Sequence, residues 1–154
     1  TIESNLRYAD EDASESALRA AVETAQVAEL VDGNPDGLAM EVSQGGSNVS
    51  GGQKQRLSIA RALVKRAPIY IFDDSFSALD FKTDAALRRA LKQTTAESTL
   101  IIVTQRVSTV RHAEQIVVLD EGQVVGAGTH DELMHTCETY REIALSQLSM
   151  EELQ

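Results

Sequence analysis

Residues 49–53 read Val-Ser-Gly-Gly-Gln, a hydroxyl, two residues without side chains and an amide at the start of an amphipathic segment. Ser50 and Gln53 have the spacing of a capping box, in which the two side chains satisfy backbone N–H groups reciprocally. A cap alone does not call for Gly51 and Gly52. Each costs about 0.8–1.0 kcal/mol against alanine inside a helix, and less at its end. Bare amides help where an anion must come close, because the first helical turn offers free N–H donors and the positive end of the dipole. Val49, Ser50, Gly51, Gly52 and Gln53 are therefore candidate phosphate-binding residues. Lys54 and Arg56 either add positive field there or are solvated helix surface.

A second constellation is Ile-Tyr-Ile-Phe-Asp-Asp at 69–74. An apolar strand that delivers an acid at its C-terminal end is how α/β proteins present carboxylates at a ligand crevice. Asp73 has the position of a Mg²⁺-holding aspartate. The plainer alternative makes Asp73 and Asp74 loop carboxylates or helix caps.

These residues need elements to hold them. Periodic Leu18, Ala21, Val22, Ala25 and Leu30 predict a helix over 12–31, with Asp12 and Glu15 as its capping box. A loop begins at the Gly- and Pro-containing stretch 32–37. A helix is expected over 51–66, ended by Pro68. Short apolar runs at 69–72 and 99–103 read as strands buried on both faces. Thr83 is a candidate cap for a helix over 84–94. Glu121-Gly122 between two apolar runs reads as a hairpin. Thr129 and Glu132 form a further capping box, and 138–148 reads as helix. The alternation of helices and strands predicts an α/β fold.

Composition narrows the function. The 154 residues are 42% hydrophobic, enough for a packed core, and carry a net charge of −10 from 24 acids and 14 bases. That balance disfavours nucleic acid, which needs a basic face. The single Cys137 cannot form an internal disulfide and reads as a small, partly buried side chain. His112, His130 and His135 lack metal-ligand spacing and read as surface residues. No apolar run approaches the length of a spanning helix. The chain starts at Thr1 and reads as part of something longer.

Taken together, Val-Ser-Gly-Gly-Gln-Lys-Gln-Arg, Ala-Arg-Ala-Leu, the apolar strand ending in Asp-Asp, Ser-Ala-Leu-Asp and Thr-Leu-Ile-Ile-Val-Thr-Gln-Arg resemble, in order and spacing, the nucleotide-binding domain of ABC transporters. The resemblance covers essentially the whole chain. It implies a partial P-loop NTPase domain with a helical signature lobe (1–66), the C-terminal part of the α/β core (67–149) with parallel strands and a hairpin, and an acidic tail (150–154). It places the signature motif at Val49–Gln53, where it caps the γ-phosphate of an ATP held by the opposite domain. The Walker B strand matches Ile69–Asp73, and the D-loop, which crosses to the other domain, matches Ser77, Ala78, Leu79 and Asp80. Glu41 matches the acid of the exporter coupling loop, although Ser43, Gln44 and Gly45 depart from that pattern. The implied cofactors are ATP and Mg²⁺. The implied partners are a second nucleotide-binding domain and a transmembrane domain, at the cytoplasmic face of the cell membrane.

Two departures matter most. The family's general base is usually a glutamate directly after the Walker B aspartate, and here it is Asp74. The switch histidine expected before Arg106 is Gln105. Both changes weaken hydrolysis more than binding and resemble the degenerate half of a heterodimeric bacterial exporter. No Gly-x-x-x-x-Gly-Lys-Ser/Thr occurs, since Gly52 stands where the lysine would be needed. The resemblance puts that motif before Thr1. Two other readings share some of these features: a chromosome- or repair-type ABC ATPase, disfavoured by acidity and absent heptads, and a non-catalytic interaction module, disfavoured by the intact glycine pair.

Overall fold

The structure, a computed structural model, describes residues 1–151, with side-chain surroundings through Gln147. Of the expected acidic tail, 152–154 lie outside the described residues. The chain forms two compact units, Thr1–Val103 and Thr104–Gln154.

In the first unit, α1 (Ile2–Arg7) is a helix that the sequence reading passed over. Ile2 and Leu6 supply only one turn of apolar spacing, yet both are fully buried. The predicted helix over 12–31 is two helices, α2 (Glu15–Thr24) and α3 (Ala28–Asp32). The N-cap of α2 is Ser14, not Asp12: the Ser14 Oγ accepts from the Ala17 N–H at 3.2 Å. The break lies at Gln26, whose φ of 57° no helix continues. Arg56 fills the break, its guanidinium donating to the Gln26 carbonyl and pairing with Glu29.

Helix α4 (Gly51–Val64) packs Ile59, Ala60, Leu63 and Val64 into the core against α1 and α2. Strand β1 (Ile69–Asp73), α5 (Phe81–Thr94) and β2 (Thr99–Val103) form a strand–helix–strand unit with parallel strands, Asp73 lying opposite Val103. Asp80, rather than Thr83, is the N-cap of α5, which moves its start back to Phe81. Both residue types can cap. Here Thr83 supplies the N–H and hydroxyl that Asp80 receives.

The expectation of strands buried on both faces holds for one face only. Tyr70 and Phe72 are buried and parallel-stacked at 6.1 Å, with Phe76 edge-on to Phe72. Ile69 and Ile71 are 56% and 67% exposed, and Ile101 and Val103 share that open face. Within the first unit nothing covers it.

The second unit begins with the short α6 (Val107–Val110) and the hairpin of β3 (Ile116–Asp120) and β4 (Gln123–Gly128). Its two-residue turn, Glu121 (φ 45°) and Gly122 (φ 76°), has the positive φ angles of a type I′ connection. Helices α7 (His130–Thr136) and α8 (Glu138–Glu151) cover the hairpin. Cys137 is buried against Gly126, where a Cβ would lie 2.9 Å from its Sγ, so its role is packing. His130 is half-buried, not a surface residue, because its Nδ1 bonds the Tyr140 hydroxyl at 2.8 Å.

Candidate functional site

The N-terminus of α4 is built as the sequence spacing requires. The Ser50 Oγ accepts from the Gln53 N–H at 3.2 Å, and the Gln53 Oε1 accepts from the Ser50 N–H at 2.8 Å. A helix begins with four N–H groups that have no intrahelical acceptor. The capping box satisfies the first and last of them. The two left over are Gly51 and Gly52, and among the described residues neither N–H meets an acceptor. Two adjacent donors at the positive end of a 14-residue helix have the chemistry that an anion requires.

The two glycines are not equivalent. Gly51 is exposed, and a Cβ there would touch only the Ala78 Cβ, at 3.9 Å. Gly52 is half-buried, and its Cβ would lie 3.2 Å from the Ala78 carbonyl oxygen and 3.7 Å from Leu79 Cδ2. The sequence reading gave both glycines to an incoming anion. The structure gives Gly52 a second duty, letting the loop 77–79 pass close over α4. Val49 is buried, with its N–H on the Gly46 carbonyl, and so anchors the segment rather than facing outward.

Neither nearby cation is free to meet an incoming anion. Arg56 donates through Nε to the Gly52 carbonyl at 3.4 Å, and its guanidinium is otherwise committed to Gln26 and Glu29. The Lys54 stem lies over Gly46, where a Cβ would sit 2.8 Å from its Cε. The donors that an anion could use at the helix end are therefore the backbone N–H groups.

Asp73 ends β1 with its side chain exposed. Asp74 follows in a left-handed conformation (φ 48°), its N–H on the Val103 carbonyl at 3.0 Å. The Ser77 hydroxyl donates to Asp74 Oδ2 at 3.0 Å. In Ser77–Asp80, Ser77, Ala78 and Asp80 are exposed, whereas Leu79 is buried in its own core. Gln55, which the sequence reading missed, donates through Nε2 to the Asp74 carbonyl (3.1 Å) and Ser77 Oγ (2.9 Å) and accepts from the Ala78 N–H (2.9 Å).

The hydrogen bonds from the Thr83 N–H and hydroxyl hold the Asp80 carboxyl below the ordinary aspartate range. A lowered folded value means that the cap's contribution is complete above the unfolded value and is lost as pH falls through the folded one. The Thr83 amide resonance is expected to titrate below the ordinary aspartate range, and to stop titrating in Asp80→Asn. A midpoint at the ordinary value would contradict this.

Glu41 is exposed, and its loop is closed by Asn48, another residue missed from sequence. The Asn48 Nδ2 donates to the Glu41 carbonyl at 2.8 Å and its Oδ1 accepts from the Ser43 N–H at 3.0 Å. Asparagine's ability to bond nearby backbone was the available signal. Gln105 lies in the second unit, exposed, with its carbonyl accepting from Gln147 Nε2 at 2.6 Å. Gln147 also accepts from the Val107 N–H at 2.8 Å, a tie that no local pattern announces. The structure thus gathers Gly51, Gly52, the Asp73–Asp74 pair and Ser77–Asp80 in one unit and places Gln105 in the other.

Among the described residues no three acidic, His or Cys side chains form a metal cluster. A lone strand-end carboxylate still suits Mg²⁺, which keeps several waters and binds through one or two carboxylates together with substrate phosphates. Asp73 is the residue that would hold it.

An amide pair at a helix end and strand-end carboxylates within one α/β unit are, as a class, the parts of a nucleotide-binding domain. A family model described as ABC transporter matches residues 1–77, half of the chain. An ABC transporter ATP-binding protein of Mycobacterium tuberculosis is 47% identical over 150 residues, which is 96% of this chain and 25% of that protein. The ATP-dependent lipid A-core flippase of Neisseria meningitidis serogroup B is 41% identical over 134 residues, covering 87% of this chain and 22% of the flippase. The structure of a bacterial Atm1-family ABC exporter with ATP bound matches with a TM-score of 0.91 and 35% identity over 96% of this chain and 26% of that one. The chain belongs to the ABC transporter ATP-binding family, and it spans about a quarter of the length of these relatives.

Proposed function

We propose that this chain is the signature-bearing part of an ATPase domain that powers export of a substrate across a membrane. The observation that carries the reading is the pair of N–H donors at Gly51 and Gly52, which the capping box leaves unused and which the chain's own side chains do not meet. Such donors suit the γ-phosphate of an ATP bound by a second nucleotide-binding domain. The chain itself contains no Gly-x-x-x-x-Gly-Lys-Ser/Thr. The exporter relatives support export as the purpose, and with it a transmembrane partner and a place at the cytoplasmic face of the membrane.

In this reading Gly51 and Gly52 stabilise negative charge on the partner's nucleotide, where fixed dipoles act without reorganising. Asp73 holds Mg²⁺, which neutralises phosphate charge when bound. Asp74 orients the attacking water at the chain's own site and accepts its proton. Gln105 donates a hydrogen bond to phosphate but cannot supply the charge of a histidine. The chain thus completes a strong site on its partner and contributes to a weak one of its own, as half of a heterodimer. Glu41, on its Asn48-closed loop, faces the transmembrane partner.

ATP turnover by the complete protein, alone and with its partner subunit, tests this reading. Activity is expected to require the pair, so that turnover per molecule rises with concentration until assembly saturates. Full activity of the separate protein at every concentration would rule out a site shared between two domains.

A further inference from the structure

We propose that Gln55 is a positioning residue that locks the phosphate clamp of α4 to the carboxylate-bearing loop 74–78, so that the two nucleotide sites served by this chain shift together. The inference rests on the proposed function, because it assigns Gly51–Gly52 and Asp74 to different nucleotides.

Gln55 lies one turn beyond Gly51 on α4, and its amide spans the loop. The Nε2 holds the Asp74 carbonyl and the Ser77 hydroxyl, while Oε1 holds the Ala78 N–H. The planar amide donates twice and accepts once, a combination that a hydroxyl with its single donor, a carboxylate or an ammonium cannot supply. Ser77 passes the connection on, its hydroxyl donating to the Asp74 carboxylate at 3.0 Å. The clamp meets the same loop through Gly52, whose missing side chain lets the Ala78 carbonyl approach. One helix end therefore touches the loop through a glycine surface and a three-bond strut.

The loop needs such a strut. Asp74 sits at a positive φ that a non-glycine residue holds only where its surroundings enforce it. Within the loop, the Ser77 N–H to Asp74 carbonyl bond is long at 3.4 Å. Without Gln55 the loop can turn relative to α4, and both the Asp74 carboxylate and the surface beneath Gly52 lose their fixed relation.

The complete protein, assembled with its partner, provides the test. Gln55→Met keeps the side chain's length and removes its hydrogen bonds. It is expected to lower kcat for ATP about tenfold, since small misplacements near reacting groups are costly, while KM stays within about twofold because binding contacts are untouched. Gln55→Glu keeps the acceptor for Ala78 and should fall between, and it decides the matter if the methionine variant does not assemble. Ser77→Ala should lower kcat as well, and the Gln55→Met/Ser77→Ala double variant should be no slower than the slower single, as for members of one unit. Unchanged kcat in Gln55→Met, an effect on KM alone, or multiplying single effects would overturn the proposal. Those outcomes leave the shared-site function standing. That function fails separately, if turnover of the wild-type assembly does not depend on Gly51.

Discussion

Gly51→Glu is expected to lower ATP turnover of the assembled transporter by about 100- to 1,000-fold, the loss that follows removal of one preorganised donor from a developing charge. The size of the effect comes from position. The new carboxylate would stand on the exposed first residue of α4, beside the two free amides to which the proposed function assigns a phosphate, setting like charge against like. The protein's own fold should tolerate the change, because a Cβ at Gly51 meets nothing closer than 3.9 Å and an acid in the first turn suits the dipole. The expected signature is lost turnover with an unchanged unfolding midpoint. Gly52→Ala provides the contrast, since its Cβ would sit 3.2 Å from the Ala78 carbonyl and should lower turnover and stability together. If Gly51→Glu turns over ATP at the wild-type rate, the amide pair does not face a phosphate.

What could be read without coordinates was whatever the chain writes locally. The Ser50–Gln53 and Thr129–Glu132 boxes and the Glu121–Gly122 turn each depend on residues one to three positions apart, and all three form as expected. The failures depend on distant partners. Periodicity carried the helix predicted over 12–31 through residue 26, but Arg56, 30 residues away, donates to the Gln26 carbonyl at a break between α2 and α3. Asp80 and Thr83 can both cap, and only the chain's path selects Asp80. An unbroken apolar run at 69–72 does not say how many of its faces are covered, and Ile69 and Ile71 proved open. Gln55 looked like any polar residue on a helix surface. Its contacts exist only because loop 74–78 returns to α4, 19 to 23 residues later.

The largest gain is expected from Asp74→Glu with Gln105→His, which should raise turnover at the chain's own site by about a hundredfold, the cost of a misplacement of ~1 Å. Aspartate holds its carboxylate about 1–1.5 Å short of where glutamate would. A second feature bears on the proposed weakness of the shorter acid. Asp74 Oδ2 is occupied by the Ser77 hydroxyl, in a loop that Gln55 fixes to α4. A longer side chain extends beyond that hydroxyl while the backbone, at φ 48°, keeps its direction. Histidine at 105 restores a group that can carry positive charge near pH 7. Its backbone is already placed by Gln147, which bonds both the Gln105 carbonyl and the Val107 N–H. The gain should appear in single-turnover hydrolysis with the partner's own hydrolytic carboxylate disabled, so that only the weak site contributes. Each single substitution should recover less than the pair, because orientation of water and stabilisation of phosphate act in the same transition state. No gain from the double variant under those conditions would remove the weak-site assignment while leaving the clamp at Gly51 and Gly52 untouched.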